Sequence, residues 1–291
     1  MIKRVLLASA LMLSFFVATT GVAAAVTLKL DRTIQTTPFL GWNGTMSMGD
    51  NEGSAFVPID NSLWLADPQK DRIYETSPTT TAMRRPIFRD AFDNAPQIGG
   101  GPIAGPSRTS AFEAMAYDLA NDFLYVFSRA SSSDPTVLPT AFRLTRQSGS
   151  FYVESWQALP AGYDFLGAAW NPTDGKLYVG KGRFVRSFDY GTGTQGPSIE
   201  LPGVTGITGM DFKNQYLFVT SNTNKLFRVN WNTKTITSGW SIDLAPFGIG
   251  NPKAVSVGPG PLGLAVMVSE GADNRPPGDP LRHAAYVFHV E

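Results

Sequence analysis

The stretch EGSAFVPIDNSLWLADPQKDRIYE, Glu52–Glu75, is the strongest indication of the fold, because the chain repeats its pattern. An apolar run, a turn rich in Asp, Asn and Pro, and a second apolar run are followed by a polar loop and a third strand. Related stretches start at Glu113, Leu166, Thr208 and Lys253. Their apolar runs are rich in aromatic and β-branched residues, and several are apolar on both alternating faces. The pattern therefore predicts strands that are buried between stacked sheets.

The spacing of these units predicts how the sheets are arranged. The five starts are separated by 61, 53, 42 and 45 residues, and a four-stranded propeller blade needs roughly 40–50 residues. Only 38 residues follow Lys253, so the last blade needs a strand from elsewhere. VTLKLDRTIQT, which starts at Val26, is a strand without a partner of its own. We expect it to pair into the last blade and close the ring.

The sequence thus predicts an all-β fold: a single β-propeller of five four-stranded blades, closed by the N-terminal strand pairing into the last blade. Six blades are the alternative, because residues 76–112 are hard to assign and could hide a divergent blade. An open sandwich is less favoured, since it does not account for the repeated unit.

The N-terminus has the pattern of a secretory signal peptide. The basic start MIKR is followed by an apolar run from Val5 to Val22 and by small residues at 23–25. We predict cleavage after Ala25, which assigns residues 1–25 to the signal peptide and 26–291 to the propeller domain. A membrane anchor is the alternative, but the run contains several Ser and Thr residues and is marginal for a stable span. We therefore expect a secreted or periplasmic protein without membrane insertion after cleavage.

Composition excludes several classes of partner and chemistry. Lys plus Arg and Asp plus Glu both number 24, and no basic stripe is visible, so we predict no binding to nucleic acid. The chain has no cysteine, which excludes disulfides and thiol catalysis. Aromatic residues recur throughout and make up 12% of the chain, which argues against disorder.

Propeller topology sorts the loops and the unit starts onto faces. The first strand of each blade lines the central channel, so the residues that open these strands should ring one channel mouth. They are Glu52, Glu113, Leu166, Thr208 and Lys253. Three enlarged loops fall on the same face, in the stretches that begin at Phe92, Ser128 and Glu270. Because loops on a rigid scaffold often carry sites, this face is the predicted functional face, with neutral growth of exposed loops as the alternative.

The repeated units resemble NHL-repeat and gluconolactonase-like propellers, chiefly in EGSAFVPIDNSLWLADPQKDRIYE and more weakly in GAAWNPTDGKLYV and GMDFKNQYLFVTSNTNKLFRVN. The gluconolactonase-like resemblance implies a calcium ion or another divalent cation at the mouth, held here by Glu52 and Glu113. The later ring positions depart from that family's pattern, because they are Leu166, Thr208 and Lys253. An ammonium group is a poor neighbour for a metal, and hard cations need several oxygen ligands.

Two interpretations of the ring therefore stay open. We prefer an ion network in which Lys253 neutralises Glu52 and Glu113, since close carboxylates need a nearby positive charge. The metal hypothesis could draw further oxygen ligands from the flanking residues Asp50, Asn51 and Asn251. Trp42, just before the ring, is the tryptophan that we expect to be exposed and able to stack on a ligand, whereas most of the other tryptophans are predicted to fill space between blades.

Other motifs carry weaker hypotheses. GTGTQG, Gly191–Gly196, matches a dinucleotide-binding pattern but is followed by Pro197 and no helix, so we interpret it as a loop between strands. No G-x-S-x-G is present, so no hydrolase nucleophile elbow is predicted. His283 and His289 are an incomplete metal pair and are more readily explained as a loop histidine and a strand histidine with hydrogen-bond partners.

Two functions are consistent with the sequence. The first is an exported propeller that binds a ligand or protein partner on the enlarged-loop face. The second is a divalent-cation-dependent hydrolase or lyase of the gluconolactonase-like type, which uses the channel-mouth carboxylates Glu52 and Glu113.

Overall fold

The computed structural model describes residues 26–36, 39–41, 44–46, 48–79, 82–98, 111–130, 138–160, 165–260, 262–271, 275–276, 279 and 281–291, with only the backbone over 39–46. The predicted signal peptide and Trp42 lie outside these residues. The five sheets found among them are the blades of a five-bladed β-propeller. No helix within this part of the chain has the length and apolar character that a bilayer span requires.

The strands of the first two blades follow one another along the chain. The chain begins with β1 (Leu28–Ile34), β2 (Phe39–Gly41) and β3 (Gly44–Met46). Blade 1 consists of β4 (Gly53–Val57), β5 (Ser62–Asp67), β6 (Arg72–Thr76) and β7 (Met83–Phe88), and the β2–β3 hairpin extends its outer edge. A short helix, α1 (Arg89–Asp93), follows. Blade 2 consists of β8 (Phe112–Asp118), β9 (Phe123–Ser128), β10 (Thr140–Gln147) and β11 (Ser150–Ala158).

The other three blades complete the ring. Blade 3 consists of β12 (Gly167–Asn171), β13 (Lys176–Lys181), β14 (Phe184–Phe188) and β15 (Ile199–Glu200). Blade 4 consists of β16 (Ile207–Lys213), β17 (Tyr216–Ser221), β18 (Lys225–Asn230) and β19 (Thr235–Asp243), and a 3-10 turn at Ala245–Phe247 follows. Blade 5 consists of β20 (Pro252–Gly260), β21 (Gly263–Glu270) and β22 (Ala285–Val290).

The N-terminal strand closes the ring, as predicted. β1 is the fourth strand of blade 5 and pairs antiparallel with β22, from Leu28 opposite Val290 to Ile34 opposite Ala285. The alternative of a sixth blade is wrong for the described part of residues 76–112, because these residues complete blade 1 and form α1. Phe92, where an enlarged loop was expected to begin, lies instead in α1 and packs against Phe112 and Phe142.

Tight turns explain how each blade begins. In blades 1–4 the first hairpin places Asn61, Asp122, Gly175 and Asn214 at positive φ, between 52° and 66°, just before the second strand. Asn, Asp and Gly adopt this left-handed conformation at least cost. The polar turn residues seen in the sequence therefore allow the chain to reverse direction between the first and second strands of blades 1–4.

The apolar core lies between the blades rather than in the channel. Five clusters of buried residues are present among the described residues, and each one joins two neighbouring blades. Trp64 of blade 1 meets Phe151 of blade 2 edge to face at 5.6 Å, for example. The cluster between blades 5 and 1 contains Ile34 of β1 together with Tyr74 and Met267. Every blade therefore depends on both neighbours, which holds the channel-lining strands in fixed relative positions.

Candidate active site at the channel mouth

The inner strands β4, β8, β12, β16 and β20 begin at one end of the channel, within one residue of the predicted unit starts. In three of them the pairing register with the second strand shifts by one residue at the mouth. The extra residue of this bulge is Glu113 in β8, Thr208 in β16 and Lys253 in β20. Such a bulge changes the direction of a side chain that would otherwise alternate between the two faces of the strand. The bulges therefore explain why these three ring residues share one location in their blades.

Small residues directly after the ring let the inner strands approach closely. Gly209 shows this most clearly, because a Cβ atom built on it would lie 2.5 Å from Cα of Ala254 in the next blade. Gly53 is similar, since its Cβ would lie 3.1 Å from Cα of Ala114. The narrow mouth thus requires a Gly or Ala beside each charged or polar ring residue.

Two ion pairs hold the carboxylates of the ring. Lys253 Nζ lies 2.9 Å from Glu52 Oε1, and both side chains are mostly buried. Arg129 contacts Glu113, with Nη1 and Oε1 separated by 2.9 Å. The ion network preferred from the sequence is therefore present for Lys253 and Glu52, while the cation within reach of Glu113 is Arg129, which pairs with it when Glu113 is ionised.

Glu113 is the most unusual ionisable group at the mouth. Its side chain is only 1% exposed, and its carboxyl group lies within hydrogen-bonding reach of the Glu52 carboxyl group. Burial and the neighbouring Glu52 carboxylate raise the pKa of Glu113 to about 8, against a smaller opposing effect of Arg129 and Lys253. Glu113 therefore keeps its proton to a higher pH than an ordinary glutamate does, although Arg129 opposes this, and it lies beside a carboxylate that has its own cation.

Below these groups the channel is nearly filled. The space that Glu52, Glu113 and Leu166 enclose with the first residues of the inner strands is only about 10 Å³. Thr208 is buried, and its hydroxyl finds no hydrogen-bond partner among the described residues. A ligand that reaches the two carboxylates must therefore approach from the loop side rather than through the channel.

The flanking candidates support the mouth but make other contacts. Asp50 accepts a hydrogen bond from the Asn51 amide and lies 3.4 Å from Nδ1 of His283. The Asn51 side chain donates to the His283 carbonyl oxygen at 3.2 Å. The Asn251 carbonyl accepts the Gly271 amide, which joins the start of β20 to the end of β21. These contacts indicate that the three residues hold the segments around the mouth in place.

The described donors fit an ion network better than a calcium site. Each of the two carboxylates already has a cation within 2.9 Å, and a divalent cation would have to displace it. No group of three or more His, Cys, Asp or Glu side chains with metal-binding geometry occurs in the described part of the chain. His283 and His289 contact different carboxylates, Asp50 and Asp31, and His283 precedes β22 rather than lying on it.

Arg129 is the residue at the channel mouth that sequence reasoning missed. It follows the second strand of blade 2, and its amide donates to the Ala111 carbonyl just before the first strand. Asn222 of blade 4 and Gly271 of blade 5 make the equivalent backbone bond. In these three blades the residue after the second strand therefore lies beside the start of the first strand, and alignment of these positions is the signal that could have identified Arg129.

Comparisons with known proteins agree with the fold and go no further. No family model and no curated protein matches this chain. Among solved structures it is similar to glutaminyl cyclase from Myxococcus xanthus, with 12% identity over 91% of this chain and 96% of that chain and a TM-score of 0.61. A luciferin-regenerating enzyme gives 12% identity, 89% and 94% coverage and a TM-score of 0.49. Hydrazine synthase from Kuenenia stuttgartiensis gives 14% identity over 82% of this chain and 61% of that chain, with a TM-score of 0.42. At such identities the first likeness shows a shared fold alone, and the other two carry no argument.

Proposed function

We propose that the protein binds a small polar ligand at the channel mouth, on the enlarged-loop face, and exchanges a proton with it through Glu52 and Glu113. The observation that supports this proposal is the position of Glu113: almost fully buried and within hydrogen-bonding reach of the Glu52 carboxyl group. A buried carboxyl group of this kind is costly for the fold. Such groups cluster at sites where proton transfer needs them.

The two carboxyl groups differ in the way that acid–base chemistry requires. Glu113 is buried and retains its proton, so it serves as the acid. Lys253 stabilises the carboxylate of Glu52, which serves as the base. Pairs of titratable groups whose surroundings separate their pKa values are typical of acid–base catalysts. The proton lost by the reacting group passes to Glu52, and Glu113 supplies one to the leaving group.

The proposal does not require a metal, in contrast to the cation-dependent hydrolase or lyase that the gluconolactonase-like resemblance implies. Lys253 and Arg129 already supply positive charge at the carboxylates. They can neutralise charge that develops on a substrate at the same place.

A protein partner on the same face is the second candidate. Two long connections leave and return on the side of the mouth, between Ser128 and Thr140 and between Glu270 and Ala285. Their central residues lie outside the described part of the chain, so this candidate rests on loop length.

Export remains part of both proposals and is supported by the signal-peptide pattern of residues 1–25.

Two probes test the proposed chemistry. The first probe is a peptide with N-terminal glutamine, which the name of the Myxococcus protein suggests. Cyclisation of this glutamine needs a base at its amine and an acid at the departing ammonia. Gluconolactone follows the family resemblance. We expect turnover of one probe by the purified protein, unchanged by a chelator and lost in both Glu113→Gln and Glu52→Gln. Turnover that needs a divalent cation would favour the metal-dependent alternative.

A further inference from the structure

Two depressions adjoin on the face opposite the mouth, and Trp170 lines both of them. One lies between blades 2 and 3 and has a volume of about 440 Å³. The other lies at the far end of the central channel and has a volume of about 170 Å³. Trp170, partly exposed near the end of β12, is therefore shared by a peripheral and a central depression.

The peripheral depression is walled by the loop that contains GTGTQG. This loop joins β14 to β15 and is fixed by backbone hydrogen bonds from Asp189 to the Thr194 carbonyl and from Gly196 to the Ser187 carbonyl, both 2.9 Å. It supplies Asp189, Thr194 and Gln195 to the depression. Tyr125 also lines it and lies nearly parallel to Trp170, at 6.2 Å and 14°. A rigid polar loop thus faces an aromatic wall.

The central depression repeats this combination of aromatic and polar groups. Tyr117 and Phe212 line it together with Trp170, Asp211 and Lys213. The Asp211 carboxylate accepts the amide hydrogen bonds of Phe212, at 2.8 Å, and of Val257 in the next blade, at 2.7 Å. These bonds fix an acceptor at the end of the channel.

We propose that the two depressions form one binding site for a neutral oligosaccharide, with a sugar ring on each side of Trp170. The peripheral depression contains one Asp and one Lys, so its lining carries no net charge from these groups and favours an uncharged ligand. Sugar rings have an apolar face that packs on aromatic side chains and hydroxyl groups that both donate and accept hydrogen bonds. Because Trp170 joins two depressions, the ligand extends beyond a single ring.

The site is independent of the mouth, because the loops that form it leave the opposite ends of the strands. The loop 189–198 connects third and fourth strands, whereas the mouth is formed where first strands begin. Substitutions at the mouth should therefore leave sugar binding unchanged, so failure of the acid–base proposal does not affect this one.

The test is calorimetric titration with cellotetraose, maltotetraose and chitotetraose at up to millimolar concentration. We expect at least one to bind, and more tightly than its disaccharide. Trp170→Ala should weaken binding about tenfold or more, the scale expected for loss of an aromatic contact. Gln195→Ala, on the surface loop, should reduce the affinity for the tetrasaccharide toward that of the disaccharide.

Tyr152→Ala is the matched control, because Tyr152 is an aromatic residue on β11 that is 51% exposed and lines neither depression. It should bind like the unmodified protein, as should Glu113→Gln. If Trp170→Ala does not fold, Gln195→Ala still tests the site. Absence of binding by all three sugars overturns the proposal, and so does equal binding by Gln195→Ala and Tyr152→Ala.

Discussion

Lys253 of the last blade and Glu52 of the first form an ion pair across the point where the ring closes, with Nζ and Oε1 2.9 Å apart. The side chain of Lys253 passes close to Gly271, where an added Cβ would lie 2.6 Å from Lys253 Cε. The pair therefore links blade 5 to blade 1 at the mouth, beside the buried Glu113.

Lys253→Met should destabilise the protein by about 1–2 kcal/mol. Breaking a fully buried pair costs roughly 3–5 kcal/mol and an exposed pair roughly 0–1 kcal/mol, and this pair is 20% and 14% exposed. Denaturant unfolding measures the loss. Lys29→Met, which removes an exposed ion pair with Glu291, is the control and should change little.

The same variant tests the cation hypothesis by calcium calorimetry. Without the ammonium group, Glu52 and Glu113 should bind calcium better than in the unmodified protein. Tight binding by the unmodified protein would contradict the ion network, and no binding by either protein would exclude a calcium site at the mouth.

Stability should fall as the pH rises from about 4.5 to about 8, the interval between the unfolded and the native pKa of Glu113. The pKa of Glu113 is raised from 4.5 to about 8, so the native state binds this proton more tightly than the unfolded chain does. Raising the pH through this range removes that proton and the stability linked to it. Burial raises the pKa of Asp211 to about 7, which acts in the same direction.

Glu113→Gln should therefore flatten the pH dependence and be at least as stable as the unmodified protein at pH 8. Unfolding free energies across this pH range provide the measurement. Glu154→Gln, which removes a carboxylate exposed on β11, is the control. A slope that Glu113→Gln leaves unchanged would contradict the assignment.

Ring closure makes a prediction for β1. Ile34→Ala should cost about 2–4 kcal/mol, because Ile34 is fully buried between blades 5 and 1. Leu30 lies on the same strand but is 43% exposed, and Leu30→Ala should change stability by no more than about 0.5 kcal/mol. Deleting residues 26–36 should lower the melting temperature of the whole domain. An unchanged melting temperature would show that β1 does not close the ring.

Gly209→Ala should destabilise the protein by about 1–3 kcal/mol, because the new methyl group meets the backbone of Ala254. Gly191→Ala is the control, since its Cβ would meet only one side-chain atom, Asp189 Oδ1 at 3.3 Å. Thermal unfolding of both variants checks the prediction. Equal stability would mean that the inner strands can move apart without loss.

The fold was predictable because its determinants are local and repeated. Turn residues such as Asn61 and Asp122 adopt the positive φ that their residue types favour, and the buried strands recur with blade spacing. Residues 26–36 form a strand with no partner strand next to it in the sequence, which predicted that they would complete the last blade.

The chemistry of the mouth depends on features that no local pattern shows. Whether Lys253 contacts Glu52, Glu113 or both depends on bulges in the inner strands, which arise from pairing with the second strands. Arg129 reaches Glu113 from the start of a loop that looked merely variable. Asp211 accepts a hydrogen bond from a residue 46 positions away in another blade. These relationships follow from the closed ring and could not be read from one unit.

We expect Glu113 to hold a proton at neutral pH because it is buried beside Glu52. Carbon-13 NMR of the protein with labelled glutamate carboxyl groups measures this directly. One glutamate should titrate near pH 8. Its signal should be absent in Glu113→Gln, and its midpoint should move to lower pH in Glu52→Gln. A spectrum in which every glutamate titrates in the ordinary range, at about pH 4–5, would contradict it.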